Sequence, residues 1–228
     1  MTAGFCLLVV AKAPVPGLAK TRLCPPATPR EAAELAAASL LDTLEAVLAV
    51  PGAVPVVALT GELGAAARAA ELDDMLRRCT TLRQRGTDFA SRLAHAHVDT
   101  AALRPGHPVL QIGMDTPQVT PGLLSSVAAP LRDGGTPDAV LAPATDGGWW
   151  ALGLRRPADA PALAGVPMSR ADTGVLTAAA LRAAGLQVAT GPMLSDVDTM
   201  ADAERVVATA GGRFAEALAT LHERIAVP

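Results

Sequence analysis

FCLLVVAKAPVPGLAKTRL, residues 5–23, is the stretch whose reading decides the fold. Phe5–Val10 is an unbroken apolar run, too short for a helix. Continuous apolar character over six residues marks a strand covered on both faces, the signature of a parallel sheet between helices. The chain then enters a loop whose course Pro14, Pro16 and Gly17 fix and in which they prevent early helix formation. In open α/β sheets, ligands gather at the carboxyl ends of strands. Lys12, Lys20 and Arg22 of this loop are therefore candidates to converge on an anion. The chain has 19 basic residues, yet Lys12 and Lys20 are its only lysines. A bias towards arginine that spares this loop twice points to a use for the compact ammonium group. A solvated loop charged for solubility is the competing reading.

The rest of the chain repeats the opening alternation. Thr28-Pro29-Arg30-Glu31 is a helix start, with Thr28 as N-cap, Pro29 at N1 and Glu31 at N3. It predicts a helix to about Val50. A strand is expected at Val54–Thr60, a helix at Glu62–Arg78 and a short strand at Thr80–Gln84. Thr87-Asp88 opens a helix to Leu103, Pro108–Ile112 is a strand, and Thr120-Pro121 opens a helix to Arg132. Strands at Asp138–Ala142 and Trp149–Leu154 precede an irregular stretch, 155–170. A helix over Ala171–Ala184 stops at Gly185, a C′ glycine. Leu186–Thr190 is the last strand, and one or two helices close the chain between Met200 and Ile225. Strands alternating with helices give an α/β fold with a mostly parallel sheet, and no linker marks a second domain, so residues 1–228 are expected to form one.

Composition narrows the function. A net charge of −3 with dispersed acids and bases does not suit an electrostatic nucleic-acid binder. Cys6, Cys24 and Cys79 are odd in number and lack a CxxC, which fits a reducing cytoplasm better than a disulfide or zinc framework. No apolar run reaches membrane-spanning length, so no membrane insertion is expected. The exposed surface of the Ala/Leu helices offers a face for a homodimer, and nothing in the sequence specifies one.

Acidic residues stand just beyond apolar strands three times. Asp115 follows VLQIGM, Asp146 follows AVLAPAT, and Asp196 and Asp198 follow LQVATGPML. Carboxylates at strand ends in one crevice suit a hard cation such as Mg²⁺, which takes one or two of them and completes its shell with water and substrate phosphates. Gly113 allows close approach to Asp115. Any single Asp after a strand also serves as a turn or helix cap, and Thr199 or Asp198 is placed to cap the last helix. Asp146-Gly147-Gly148-Trp149-Trp150 offers glycines for close backbone approach and an indole to stack on a substrate; a hairpin turn with one tryptophan in the core is the plainer alternative. Arg92 is either a substrate contact or a surface partner of Asp88. Lys20-Thr21 is no phosphate-binding P-loop, since Pro14 and Ala19 stand where GxxxxGK[ST] requires glycine.

Taken together, AKAPVPGLAKTRL, GTDFASRL, IGMDTP, APATDGGWWALGL and SDVDT resemble a bacterial family of uncharacterised GT-A-type transferases, related in fold to molybdenum cofactor and phospholactate guanylyltransferases. The resemblance implies a Rossmann-like three-layer α/β/α sandwich holding a nucleotide at its N-terminal half. It implies Lys12, Lys20 and Arg22 on phosphates, with Pro14 and Gly17 shaping their loop. Asp115 would be the principal ligand of Mg²⁺ or Mn²⁺, with Asp198 and then Asp196 as further ligands. Asp146, Gly147, Gly148 and Trp149 would line the acceptor side, with Asp115, Lys20 and Asp146 as the groups nearest the chemistry. The implied activity is glycosyl transfer from a nucleotide sugar; the alternatives are nucleotidyl transfer from a nucleoside triphosphate with release of pyrophosphate, and nucleotide binding without turnover.

Overall fold

The computed structural model describes residues 4–132 and 134–226. Strands β1 (Phe5–Lys12), β2 (Ala53–Thr60), β3 (Thr80–Arg83), β4 (Val109–Gly113), β5 (Ala139–Pro143), β6 (Trp149–Leu154) and β7 (Val188–Thr190) alternate with helices α1 (Pro29–Leu48), α2 (Ala69–Leu76), α3 (Phe89–Leu103), α4 (Pro121–Arg132) and α5 (Thr173–Ala183), and α6 (Met200–Val207) and α7 (Gly212–Ala226) follow. All seven strands join one sheet in the order β3-β2-β1-β4-β6-β5-β7. Every pairing is parallel except those of β6, which runs antiparallel to β4 and β5. The expected mostly parallel α/β sandwich is present. β6 follows β5 through a tight turn, so no crossover helix separates them and the pair must be antiparallel.

The buried faces of β1 explain the layering. Phe5, Leu7, Val9 and Ala11 point to one side, where α1, α2 and α4 supply Leu40, Leu44, Leu72, Leu124 and Leu131. Cys6, Leu8 and Val10 point to the other, against Leu93 of α3, Leu181 of α5 and Leu163 of the 3-10 helix at Pro157–Leu163. A strand with period-two side chains buried both ways needs apolar residues at every position, which is what Phe5–Ala11 provides. The two tryptophans divide the same way: Trp150 lies in the first core and Trp149 packs on the second.

Helix α1 begins as its sequence dictates, with Thr28 and Glu31 forming a reciprocal capping box and Pro29 in the first turn. It is buried on two sides. Ala33, Ala37 and Leu41 face the sheet, while Ala32, Leu35 and Ala38 meet Phe214, Leu218 and Leu221 of α7. Each of those three α7 side chains contributes about 1.5–3 kcal/mol by leaving water, so α6 and α7 form an extra layer over α1. The Ala/Leu surface expected to be available for a homodimer is thus already covered within the chain, and the dimer expectation loses that surface. The helix expected over Glu62–Arg78 is also interrupted: a 3-10 turn at Leu63–Ala65 precedes α2, and Arg68 takes φ 51 at the break. Arg68 is held there by an ion pair with Glu34 of α1, 3.1 Å away. No helix among the described residues is long and apolar enough to cross a membrane.

On the sheet side of α3, His97 is fully buried and neither ring nitrogen has a hydrogen-bond partner. Burial pushes its pKa down to about 3. The folded chain therefore keeps a neutral imidazole where the unfolded chain takes a proton below about pH 6.5. Stability from the neutral form is complete above that pH and is lost as pH falls, by about 1.4 kcal/mol per unit until the folded pKa is reached. Urea unfolding of wild type and His97→Leu between pH 6.5 and 4.5 checks this. The variant should gain on the wild type by about 1.4 kcal/mol per unit of acidification; a difference that does not change with pH would refute it.

Candidate functional site

The strand order turns back at β1, whose chain neighbours β2 and β3 lie on one side and β4 on the other. A crevice opens at the carboxyl ends of the strands at such a switch point. Here it is a cleft of about 720 Å³, well within the range of small-molecule sites. Three parts of the chain furnish it. The end of β2, Gln84 after β3, and Phe89 and Arg92 at the start of α3 form one end. Gly113, Asp115, Asp196 and Asp198 lie in the middle. Asp146, Gly148, Trp149 and the 168–173 segment form the other end.

The middle is strongly acidic. One carboxylate oxygen from each of Asp115, Asp196 and Asp198 lies within 4.8 Å of the others. Local structure brings them there. Asp115 leaves β4 past Gly113, where a Cβ would stand 2.6 Å from the Asp115 Oδ1, so that carboxylate folds back over the strand end only because position 113 is glycine. Asp196 and Asp198 sit two residues apart in an extended segment and therefore face the same way; the Val197 amide donates to the Asp115 carbonyl at 2.9 Å, joining the two segments. Thr199, not Asp198, caps α6 by a capping box with Asp202, which leaves Asp198 free for the cleft.

Lys20 lies between two of these carboxylates. Its Nζ donates to Asp115 Oδ2 and to Asp198 Oδ1, each at 2.6 Å, with its side chain only 14% exposed. Burial alone would lower the Lys20 pKa, but the two carboxylates outweigh it and raise it. Burial likewise pushes Asp198 up, and the charge and hydrogen bond of Lys20, with Arg22 behind, bring it below the usual carboxylate range. Asp196 receives no such partner. Burial first, then the charges of Asp115, Asp146 and Asp198, raise it to about 7. A group of oxygen donors that strains to lose its own charge, and that already draws in one ammonium, has the chemistry of a hard-cation site.

The other expected site residues divide. Lys12, Arg22, Arg92, Gly113, Asp146, Gly148 and Trp149 line the cleft. Lys12 donates its Nζ to the Leu18 carbonyl at 2.8 Å and so braces the loop as well. Arg22 stays largely exposed, 3.4 Å from Asp198. Arg92 makes no bond to the Asp88 carboxylate, which caps α3 through the Ser91 amide; its guanidinium lies 5.6 Å from the centre of the Phe89 ring. Pro14, Gly17, Lys20 and Gly147 do not line the cleft; Lys20 lines a small hollow with Leu23, Ser39, Asp115 and Val197 instead. Gly147 serves packing: at φ 89, a Cβ there would stand 1.9 Å from the Ala171 carbonyl oxygen. Its turn and the 171–174 segment lock together, with the Gly174 amide donating to the Gly147 carbonyl at 2.8 Å. Asp146 closes the same turn by accepting from the Gly148 amide at 2.8 Å.

Three lining groups escape sequence reasoning. Gln84 donates its amide Nε2 to the carbonyls of Ala11 and Ala58, both at 2.8 Å. Turning the amide would set its oxygen against two carbonyls, so Oε1 is held outward as an acceptor. Gln111 is 1% exposed in β4, lines the cleft, and its Oε1 has no partner. Arg170, 59% exposed and paired with Asp172, stands at the far end. A glutamine interrupting the apolar VLQIG strand was the available signal for Gln111; the role of Gln84 depends on backbone groups distant in sequence.

Comparison with solved structures places the geometry among nucleotide-handling folds. A crystal structure from Desulfovibrio desulfuricans G20, described as a "putative nucleotide-diphospho-sugar transferase", matches with a TM-score of 0.75 and 27% identity over 88% of this chain and 84% of that one. CMP:2-keto-3-deoxy-manno-octonic acid synthetase complexed with CTP matches with a TM-score of 0.57 and 13% identity, over 90% and 97% of the two chains. A cytidylyltransferase from Leptospira borgpetersenii serovar Hardjo-bovis matches with a TM-score of 0.56 and 12% identity, over 98% and 95%. The last two likenesses are of fold alone. A sequence comparison with curated proteins gives no match. The family model that does match spans residues 43–170, from within α1 to the edge of α5, and the chain belongs to that family, described as "Uncharacterized protein conserved in bacteria (DUF2064)".

Proposed function

We propose that the protein is a metal-dependent transferase acting on a nucleotide-activated donor, and that it transfers a glycosyl group from a nucleotide sugar. The observation that carries this is the meeting of Asp115, Asp196 and Asp198 at a cleft of about 720 Å³ at the switch point of the sheet, with the Lys20 ammonium held between Asp115 and Asp198. The likeness to the Desulfovibrio structure supports the nucleotide-sugar version. One sheet includes all seven strands, which supports reading residues 1–228 as one working unit.

The residues fit a divalent cation. They offer three hard oxygen donors within bridging range, and Lys20 already acts there as a stand-in cation. Mg²⁺ or Mn²⁺ held by Asp115, Asp198 and Asp196 would supply charge stabilisation to a departing diphosphate. Lys12, Lys20 and Arg22 would bind the phosphates. The base would lie at the end formed by Gln84, Phe89 and Arg92, stacked on the exposed Phe89 ring. The acceptor would enter beside Asp146, Gly148, Trp149 and Arg170. Its hydroxyl oxygen would bond to the anomeric carbon as the bond from that carbon to the diphosphate oxygen breaks, with Asp146 taking the hydroxyl proton. Positioning and fixed charge supply most of the rate in such a reaction.

Nucleotidyl transfer is the second reading, favoured by the fold likeness to a synthetase complexed with CTP. A thermal-shift series with nucleotide sugars and nucleoside triphosphates, each with and without Mg²⁺ or Mn²⁺, tests both. Ligand and ion that bind the native state together should raise the melting temperature only as a pair. A response to nucleotide sugars with release of nucleoside diphosphate supports glycosyl transfer; a response to triphosphates with release of pyrophosphate supports the second reading. Folded protein that responds to no pair would overturn both.

A further inference from the structure

We infer that Lys20 is a tethered cation that keeps the place of the metal ion between Asp115 and Asp198 until a phosphate-bearing ligand draws it away, so that ion and nucleotide enter together. This rests on the metal-dependent reading above and concerns how the site is loaded.

The argument begins with exclusion. The Lys20 Nζ lies 2.6 Å from one oxygen of Asp115 and 2.6 Å from one of Asp198, and Asp196 completes the same cluster. An ion bound by Asp115 and Asp198 would draw on the same two carboxylates that hold the ammonium. Two cations drawing on the same pair of carboxylates in a half-buried site repel each other. Lys20 and the ion therefore compete.

Lys20 does not leave easily. Its side chain is 14% exposed, and the carboxylates are its only hydrogen-bond partners among the described residues. Removing a charge-assisted, largely buried pair leaves an ammonium that needs a new anion. The loop itself restricts the search. Lys20 stands at φ 47 with the Leu23 amide donating to its carbonyl, and the Lys12 ammonium pins Leu18 two residues before it. The new anion must come to the loop, and phosphates in the cleft would provide it. Metal and phosphate thereby strengthen each other's binding, because each removes the obstacle to the other. Nothing local in the sequence requires this: a lysine in a phosphate loop and aspartates at strand ends could have stood apart.

Two measurements on the full chain test it. In the first, Mn²⁺ alone is titrated into wild type and Lys20→Met, with free Mn²⁺ read by electron paramagnetic resonance and folding checked by circular dichroism. The variant should bind Mn²⁺ at least tenfold more tightly than the wild type. Equal or weaker binding by folded Lys20→Met overturns the inference. The second needs no variant. ¹⁵N-lysine labelling gives only two side-chain ammonium signals, Lys12 and Lys20. Saturating Mg²⁺ should shift or broaden the Lys20 signal and spare that of Lys12. A bound ion with an unmoved Lys20 signal overturns the inference and leaves the metal-dependent reading intact. If Mn²⁺ binds neither protein, with or without a nucleoside triphosphate, both fall together.

Discussion

Asparagine at position 115 should lower turnover by about a thousandfold, the kinetic equivalent of roughly 4 kcal/mol, while leaving the protein folded. Asp115, like Asp198, both meets Lys20 and belongs to the candidate ion cluster, and it stands two residues past the end of β4. Asparagine keeps its shape and one oxygen but removes the charge that holds a hard cation. The fold has little to lose. Lys20 keeps Asp198, and Asp196, which Asp115 pushes towards neutrality, is relieved of a like charge. The decisive pattern is a separation: a melting temperature close to wild type without ligands, and loss of the extra stabilisation that nucleotide and metal give as a pair. Asp146→Ala is the contrast. It should slow the chemistry yet keep the paired stabilisation, because Asp146 lies in the cleft outside the three-carboxylate cluster. If Asp115→Asn retains wild-type turnover, the cluster is not the working centre.

How much of this could be read from the chain depends on whether the cause is local. The β1 strand, the capping box at Thr28 and Glu31, and the C′ glycine at Gly185 are set by neighbours a few residues apart, and the structure has each of them. So is the placing of Asp115, Asp146, Asp196 and Asp198 at strand ends, since open α/β sheets send all such ends to one edge. What could not be read are partnerships over distance. The ion pairs of Lys20 join residues 95 and 178 positions apart. The apolar stripe of α7 shows that it is buried somewhere, but not that it lies on α1 and covers a helix that the sequence suggests is exposed. The break before α2 depends on Arg68 reaching Glu34. Gln84 depends on carbonyls from two other strands.

The turn at Gly147 shows the same limit and gives the largest expected effect on stability. Glycine before a candidate acceptor site suggests room for a ligand, whereas here the room is taken by the chain. Gly147→Ala carries two costs. A non-glycine residue at φ 89 is strained by about 1–3 kcal/mol. Its Cβ would also stand 1.9 Å from the Ala171 oxygen and 2.6 Å from the Ala171 carbon, backbone atoms with no rotamer to change. Relief requires the β5–β6 turn and the 171–174 segment to separate, which breaks the bond from the Gly174 amide to the Gly147 carbonyl. A loss above about 4 kcal/mol is expected, in the range reserved for a few named defects. Gly185→Ala isolates the first cost. It has nearly the same torsion, φ 84, but no heavy atom within 4 Å of the added Cβ, so it should lose only that strain, about 1–2 kcal/mol. Urea unfolding of the two variants decides the matter. Equal losses would mean that backbone strain alone is felt and that the turn does not lock the far wall of the cleft. A much larger loss at 147 would mean that the acceptor side is a rigid wall, built by close backbone packing before any substrate arrives.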